Sequence, residues 1–254
     1  MLRLITIPIS HYCEKARWAL ERAGIPYREE RHVQGIHRIA ARRAGGGQTV
    51  PVLVTPEVTL GESEDILRWV DERLAPERRL FPVEPEERAE VERLSRRFDE
   101  RVGPAGRRFM YMKVLPYRDM TLEVNNQGVA RWEDRALRLG WPLATRYLAK
   151  ALDMRPGVEV EDEAVVWEDL DLVGELLADG RRHLCGDRFT AADLTFAALS
   201  AAVVAPPVYG VDLPQPDGLP PELRDFVLRV RDHPAGRYAL ALYEQRSVVA
   251  ATPT

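Results

Sequence analysis

Short apolar runs open the chain and helical stripes fill the rest. Leu2 to Ile7 is apolar, rich in β-branched residues and closed by Pro8, which predicts a buried strand. From Ser10 the period changes: Cys13, Ala16, Leu20 and Ala23 recur at helical spacing, Ser10 is a good N-cap, and Gly24 with Pro26 supplies the stop. Tyr27 to Val33 is polar and only loosely alternating, the pattern of an edge strand whose charges discourage sheet-to-sheet association. An irregular helical segment and the loop Gly45-Gly46-Gly47 follow. Val52 to Val54 and Val58 to Leu60 then read as a strand pair around Thr55-Pro56-Glu57. A helix runs on from Ser63 to about Leu74, with Ile66, Leu67, Val70 and Leu74 on one face.

Beyond residue 75 almost nothing reads as strand. Ala75 to Pro85, with Pro76, Pro82 and Pro85, is a stiff polar connector and the expected domain boundary, giving domains of residues 1–80 and 86–246. Val91, Leu94, Phe98 and Val102 make one face of a helix that Gly103-Pro104 must kink or break. Residues 118–158 hold helices whose order the pattern does not fix. Glu163 to Leu177 is a further helix. Thr190 and Asp193 form a capping-box variant, with Phe189 and Leu194 as staple, at the head of a helix apolar nearly all round. Pro206-Pro207 stops it; Pro221 to Val230 and Pro234 to Glu244 close the fold, and Ser247 to Thr254 reads as a loose tail.

Composition narrows the function classes. With 254 residues, 45% hydrophobic and 30% charged, the chain can bury real cores. No apolar run approaches the ~20 residues of a membrane span, and no signal-peptide pattern opens the chain, so a cytoplasmic protein is expected. A net charge of −4 gives no global attraction to nucleic acid or to an anionic membrane, and neither is an expected partner. Two cysteines, Cys13 and Cys185, build neither a disulfide framework nor a thiol-based zinc site, and no metal is expected. The triple glycine lacks both the Lys-Ser/Thr of a phosphate loop and the spacing of a dinucleotide fingerprint.

The order βαβ, helical segment, ββα is a thioredoxin-like arrangement. Val50 would there present its backbone to a ligand, held by a cis bond to Pro51. The stretches Ser10-His11-Tyr12-Cys13-Glu14-Lys15-Ala16-Arg17-Trp18-Ala19-Leu20, Val50-Pro51-Val52-Leu53 and Glu62-Ser63, in this order, resemble the N-terminal domain of the glutathione S-transferase superfamily. The resemblance covers the first 80 residues, and the Thr190 box resembles the family's C-terminal domain. It implies a thioredoxin-like domain followed by an all-α domain, a homodimer, and glutathione as co-substrate.

The chemistry of these residues suits that ligand. Ser63 at a helix start offers a hydroxyl and free amides to an α-carboxylate, and Glu62 can take the ammonium. Val50 can pair with a peptide-like middle as an added strand would. Ser10 can donate to the sulfur and favour the thiolate, which is the nucleophile. Tyr12 is the other contender for that role, Cys13 reads as structural, and Ser10 is also simply a helix cap. His37, Arg38 and Gln48 are candidates for the glycine carboxylate of glutathione or for plain surface positions. Phe109 and Tyr111 are candidates for an acceptor pocket or for plain helix packing. The implied function is conjugation of glutathione to a small hydrophobic electrophile, a detoxification reaction. The alternatives are a non-catalytic binding or interaction protein on the same fold, and a glutathione-dependent isomerase or reductive enzyme.

Overall fold

A computed structural model describes residues 1–250, with side chains through residue 246. Two compact units emerge. The first comprises residues 1–70, 114–156 and 210–212; the second comprises 71–113, 157–209 and the chain from 213 onward.

In the first unit, strands β1 (Leu2–Thr6), β2 (Tyr27–Arg31), β3 (Val52–Val54) and β4 (Thr59–Leu60) form one sheet in the order β2-β1-β3-β4. The pairing is parallel between β1 and β2, and antiparallel between β1 and β3 and between β3 and β4. β1 is interior, and Leu4, Ile5 and Thr6 are all buried, as its unalternating apolar run requires. β2 lies at the edge with its charges, as expected of a strand that must resist further pairing. Helix α1 (His11–Arg22) follows β1 and ends where Gly24 takes a φ of +65°. The irregular segment is a regular helix α2 (His37–Arg43), and α3 (Ser63–Asp71) closes the βαβ-α-ββα order.

Residues 114–156 pack within this unit. They supply α6 (Arg118–Asn125), α7 (Arg131–Leu139) and α8 (Trp141–Ala151). Val33, Leu122 and Leu137 form a small apolar core, with Ile36, Val129, Trp141 and Ala144 around it. Glu133 anchors it: its carboxylate accepts from the Val33 amide at 2.9 Å and meets His32 Nδ1 at 2.7 Å.

The second unit is helical: α4 (Pro85–Glu100), α5 (Val102–Val114, its last residue counted with the first unit), α9 (Val158–Leu177), α10 (Ala191–Val204), α11 (Pro221–Asp232) and α12 (Pro234–Ala250). α10 is buried along nearly its whole length and packs on α4, α11 and α12. The Thr190–Asp193 box forms, and the same Asp193 carboxylate also accepts from the Leu184 amide at 2.8 Å and from the Tyr238 hydroxyl.

Three expectations change. The α4–α5 break falls at Arg101, with Gly103 and Pro104 inside the first turn of α5, where a missing N–H is harmless. The break is held by Asp169, fully buried, which accepts from the Val102 amide at 3.1 Å and pairs with Arg97 and Arg101. The connector is not merely polar: Leu80 and Phe81 are buried, and Asp71 caps both of their amides. Residues 247–250 continue α12 rather than forming a loose tail, while 251–254 lie outside the described residues.

Candidate functional site at one end of the sheet

Strand register brings the three sequence motifs to one end of the first unit's sheet. Ile5 pairs with Val52, so the C-terminal end of β1, leading to Ser10, lies beside the N-terminal end of β3, which Val50 and Pro51 precede. Leu53 pairs with Leu60, so Gly61, Glu62 and Ser63 leave β4 at that same end. β2 runs parallel to β1, and the His32 amide donates to Thr6 O at 2.9 Å, which brings the segment leading to His37 there too.

Ser10 is the N-cap of α1. Its amide donates to Ile7 O at 3.1 Å, its Oγ accepts from the Cys13 amide at 3.3 Å, and its hydroxyl also hydrogen-bonds the Cys13 sulfur, a partner that a ligand thiolate would have to replace. The turn that carries it is braced by a buried arginine. Arg17 donates to Pro8 O at 3.0 Å, pairs with the buried Glu14 at 3.1 Å and with Glu29 at 2.7 Å. Burial pushes the Glu29 carboxyl up, but Arg17, Thr6 and Arg31 outweigh it and hold it below the usual carboxylate range. Cys13 is wholly buried, and that burial pushes its thiol up to about 11 despite the lowering effects of Arg17 and of the Ser10 hydroxyl beside it. It is therefore a protonated packing residue. Tyr12 is half-buried, with its ring 4.6 Å from that of His11.

The Val50-Pro51 bond is cis. Among the described residues none hydrogen-bonds the Val50 amide or carbonyl, so both are open to an incoming strand-like ligand. Glu62 is exposed, and its carbonyl accepts from the Ile66 amide at 3.1 Å, so it occupies the N-cap position and Ser63, buried, opens α3. Glu64 is committed elsewhere: the fully buried Lys15 reaches it at 3.2 Å and Arg68 at 3.0 Å. Glu62, like Asp65 in the first turn, thus stays presented to solvent at this helix mouth.

Gln48 is exposed and accepts from Arg38, whose other nitrogen donates to the Tyr147 hydroxyl at 2.7 Å. His37 accepts from the Gly35 amide through Nδ1 at 3.1 Å, and burial first, then the Arg38 and His32 charges, pushes it down to about 4. It is an uncharged turn brace at neutral pH. Phe109 and Tyr111 lie on α5 in the second unit. Phe109 is a core residue, its ring 4.5 Å from Phe226, so packing takes the ring face that an acceptor would need; Tyr111 is half-buried. Lys15, Arg17 and Glu64 are the residues that sequence reasoning missed. A cation three or four places from the small residues of α1's buried face was the only signal for them.

The first 78 residues carry a further observation. Residues 4–78 match the family model described as glutathione S-transferase, N-terminal domain. Residues 4–78 thus carry a glutathione S-transferase N-terminal domain. Solved glutathione S-transferases share the fold of the whole chain. The one from Xanthobacter autotrophicus Py2 is 20% identical over 100% of this chain and 94% of its own, with a TM-score of 0.62. That from Rhodospirillum rubrum F11 is 23% identical over 94% and 92%, at 0.56. A Methylobacterium radiotolerans glutathione S-transferase in complex with glutathione sulfonate is 19% identical over 94% of each chain, at 0.54. No curated protein matches the sequence. Among the described residues no helix is long and apolar enough to cross a membrane.

Proposed function

We propose that this protein is a glutathione transferase that binds glutathione at the sheet end, ionises its thiol and conjugates it to a small hydrophobic electrophile. The observation that carries the reading is the convergence, by strand register, of Ser10, Val50-Pro51 and Glu62-Ser63 at one end of the sheet. The Methylobacterium relative in complex with glutathione sulfonate and a Methylobacillus flagellatus relative with glutathione bound support the ligand class.

Each part of glutathione has a counterpart. The α-carboxylate goes to the Ser63 hydroxyl and the α3 amides, in the positive field of the helix start. The ammonium goes to Glu62. The cysteinyl backbone pairs with the open N–H and C=O of Val50. For the glycine carboxylate, Arg38 with Gln48 supplies charge and His37 only a neutral donor. The sulfur lies toward Ser10, whose hydroxyl proton, turned from Cys13, favours the thiolate. Tyr111 remains the candidate for the electrophile; Phe109, a core residue, is withdrawn. The homodimer and the cytoplasmic location belong to the same proposal.

Calorimetric titration with reduced glutathione tests it. Wild type is expected to bind in the micromolar to millimolar range, and Glu62→Gln and Ser63→Ala each to weaken binding by about tenfold, the worth of one charge-assisted hydrogen bond, with little change in melting temperature. Absence of binding at millimolar glutathione in wild type would sink the reading. Parallel loss of binding and stability in Ser63→Ala would reduce that residue to a helix cap.

A further inference from the structure

Helices α7 and α8 carry a face that the glutathione site does not use. Gly140 interrupts them only slightly, since its amide donates to Ala136 O and its carbonyl accepts from the Ala144 amide, both at 2.9 Å. Gly140 thus ends α7 and heads α8 with no loop between them. Glu133, Leu137, Trp141 and Ala144, spaced four, four and three residues apart, point inward to the Val33–Leu122 core. On another side, Trp132, Ala136, Leu139 and Leu143 are spaced four, three and four apart and point to solvent, and Tyr147, one turn on, is exposed but accepts from Arg38. Trp132 is 61% exposed, Leu139 86%, Leu143 71% and Tyr147 40%. No residue of α8 is buried.

Charge on this face is one-sided. Arg131, Arg135, Arg138, Arg146 and Lys150 are all exposed. Of the two acids in the same stretch, Glu133 is buried against His32, and the half-buried Asp134 accepts from Arg138 and Asn126. The protein as a whole carries −4, so the cationic face is a local feature of opposite sign. Four of the five cations fall, by helical spacing, in one sector next to the apolar stripe. Helices that lie in a membrane interface have this construction, with Trp and Leu at the acyl boundary and Arg and Lys at the level of the headgroups.

We propose that the outward face of α7 and α8 docks the protein on an anionic lipid surface. Two other occupants fit less well. A second copy meeting this face across a two-fold axis would set five cations against five. Nucleic acid would satisfy the cations but leave Leu139 and Leu143 in water, where a contiguous apolar patch marks an interaction site. The proposal does not depend on the glutathione reading.

Co-sedimentation of the full chain with vesicles tests it. Binding is expected to vesicles of phosphatidylcholine mixed with phosphatidylserine, not to phosphatidylcholine alone, and to fall as salt is raised. Arg131→Glu/Arg135→Glu/Arg146→Glu should weaken it by about a hundredfold, and Leu139→Ser/Leu143→Ser by about tenfold. A blue shift of tryptophan emission on binding should shrink in Trp132→Phe. These side chains are exposed, so melting temperature and glutathione affinity should not move. Three results would overturn the proposal: no binding to the mixed vesicles at low salt; heparin or duplex DNA binding as tightly as the vesicles and without regard to Leu139 and Leu143; or a concentration-dependent dimer that Leu139→Ser/Leu143→Ser abolishes.

Discussion

Removing the Ser10 hydroxyl separates its role as helix cap from the proposed role as sulfur donor. As a cap, its Oγ accepts from the Cys13 amide at 3.3 Å, a long bond, so Ser10→Ala should cost the low end of the ~0.5–2 kcal/mol range for caps. As a sulfur donor, its hydroxyl proton makes one hydrogen bond to an anion, worth about 1.5–3 kcal/mol. At 1.36 kcal/mol per unit, that bond lowers the bound thiol by about 1–2 units from its usual ~8.5. The rate does not rise by the full factor, because a less basic thiolate is a weaker nucleophile, with a Brønsted slope of about 0.4–0.5. Below the thiol pKa the net gain in kcat/KM is therefore about three- to tenfold. Above it, where both proteins hold thiolate, Ser10→Ala should be no slower than wild type.

The assay is the ultraviolet absorbance of bound thiolate against pH, run beside kcat/KM against pH. Ser10→Ala should shift both profiles upward by about 1–2 units and let the two rate curves converge or cross at high pH. Ser10→Thr should restore the wild-type curves. A uniform loss at every pH, with unshifted absorbance, would refute thiolate stabilisation and leave Ser10 as a cap.

Other expectations follow from the same geometry. Native Cys13, wholly buried and pushed up to about 11, should resist alkylation at neutral pH, and Cys13→Ala should keep turnover while losing about 1 kcal/mol to the cavity, as read by urea unfolding. Thr190→Ala should cost about 1 kcal/mol. Asp193→Ala should cost about 3–5 kcal/mol, because it leaves the Leu184 and Thr190 amides and the Tyr238 hydroxyl without their shared acceptor; neither variant should change the pKa of bound thiol. His37, pushed down to about 4, takes up a proton on unfolding near pH 6.5, so its contribution to stability is present above that pH and is lost progressively as pH falls toward about 4. His37→Asn, which retains an acceptor for the Gly35 amide, should flatten that part of the stability curve.

Local rules made the first unit's sheet and the Thr190 box readable, because each depends on residues within a few positions: Ser10 before α1, Gly24 after it, Val50 before Pro51. Long-range partners were not readable. The α4–α5 break looks from sequence like the work of Gly103-Pro104, yet Asp169, far along the chain, holds it at Arg101, just before that pair. Phe109 sits in a row of aromatic and Met residues that suits a pocket as well as a core, and only its contact with Phe226 decides. Lys15, Arg17 and Glu14 are charged, and charge in a helix normally marks the wet face. Here Glu14 and Arg17 neutralise each other and Lys15 pairs with Glu64, so all three are buried.

The triple glycine gives the last step. It has no phosphate-loop chemistry, but its middle residue sets how the binding elements stand to one another. A Cβ on Gly46 would lie 2.4 Å from Val52 Cγ1, and a Cβ on Gly61 would lie 2.7 Å from Gly46 O. Backbone therefore rests on backbone where the loop before Val50 meets the residue before Glu62. Side-chain contacts can relax by rotamer changes, whereas this one cannot. Val50 and the Glu62–Ser63 pair are consequently held at a fixed separation. On the proposed function, that fixed separation would select a ligand by the length of the link between its charged end and its peptide-like middle, which in glutathione is the γ-glutamyl bond.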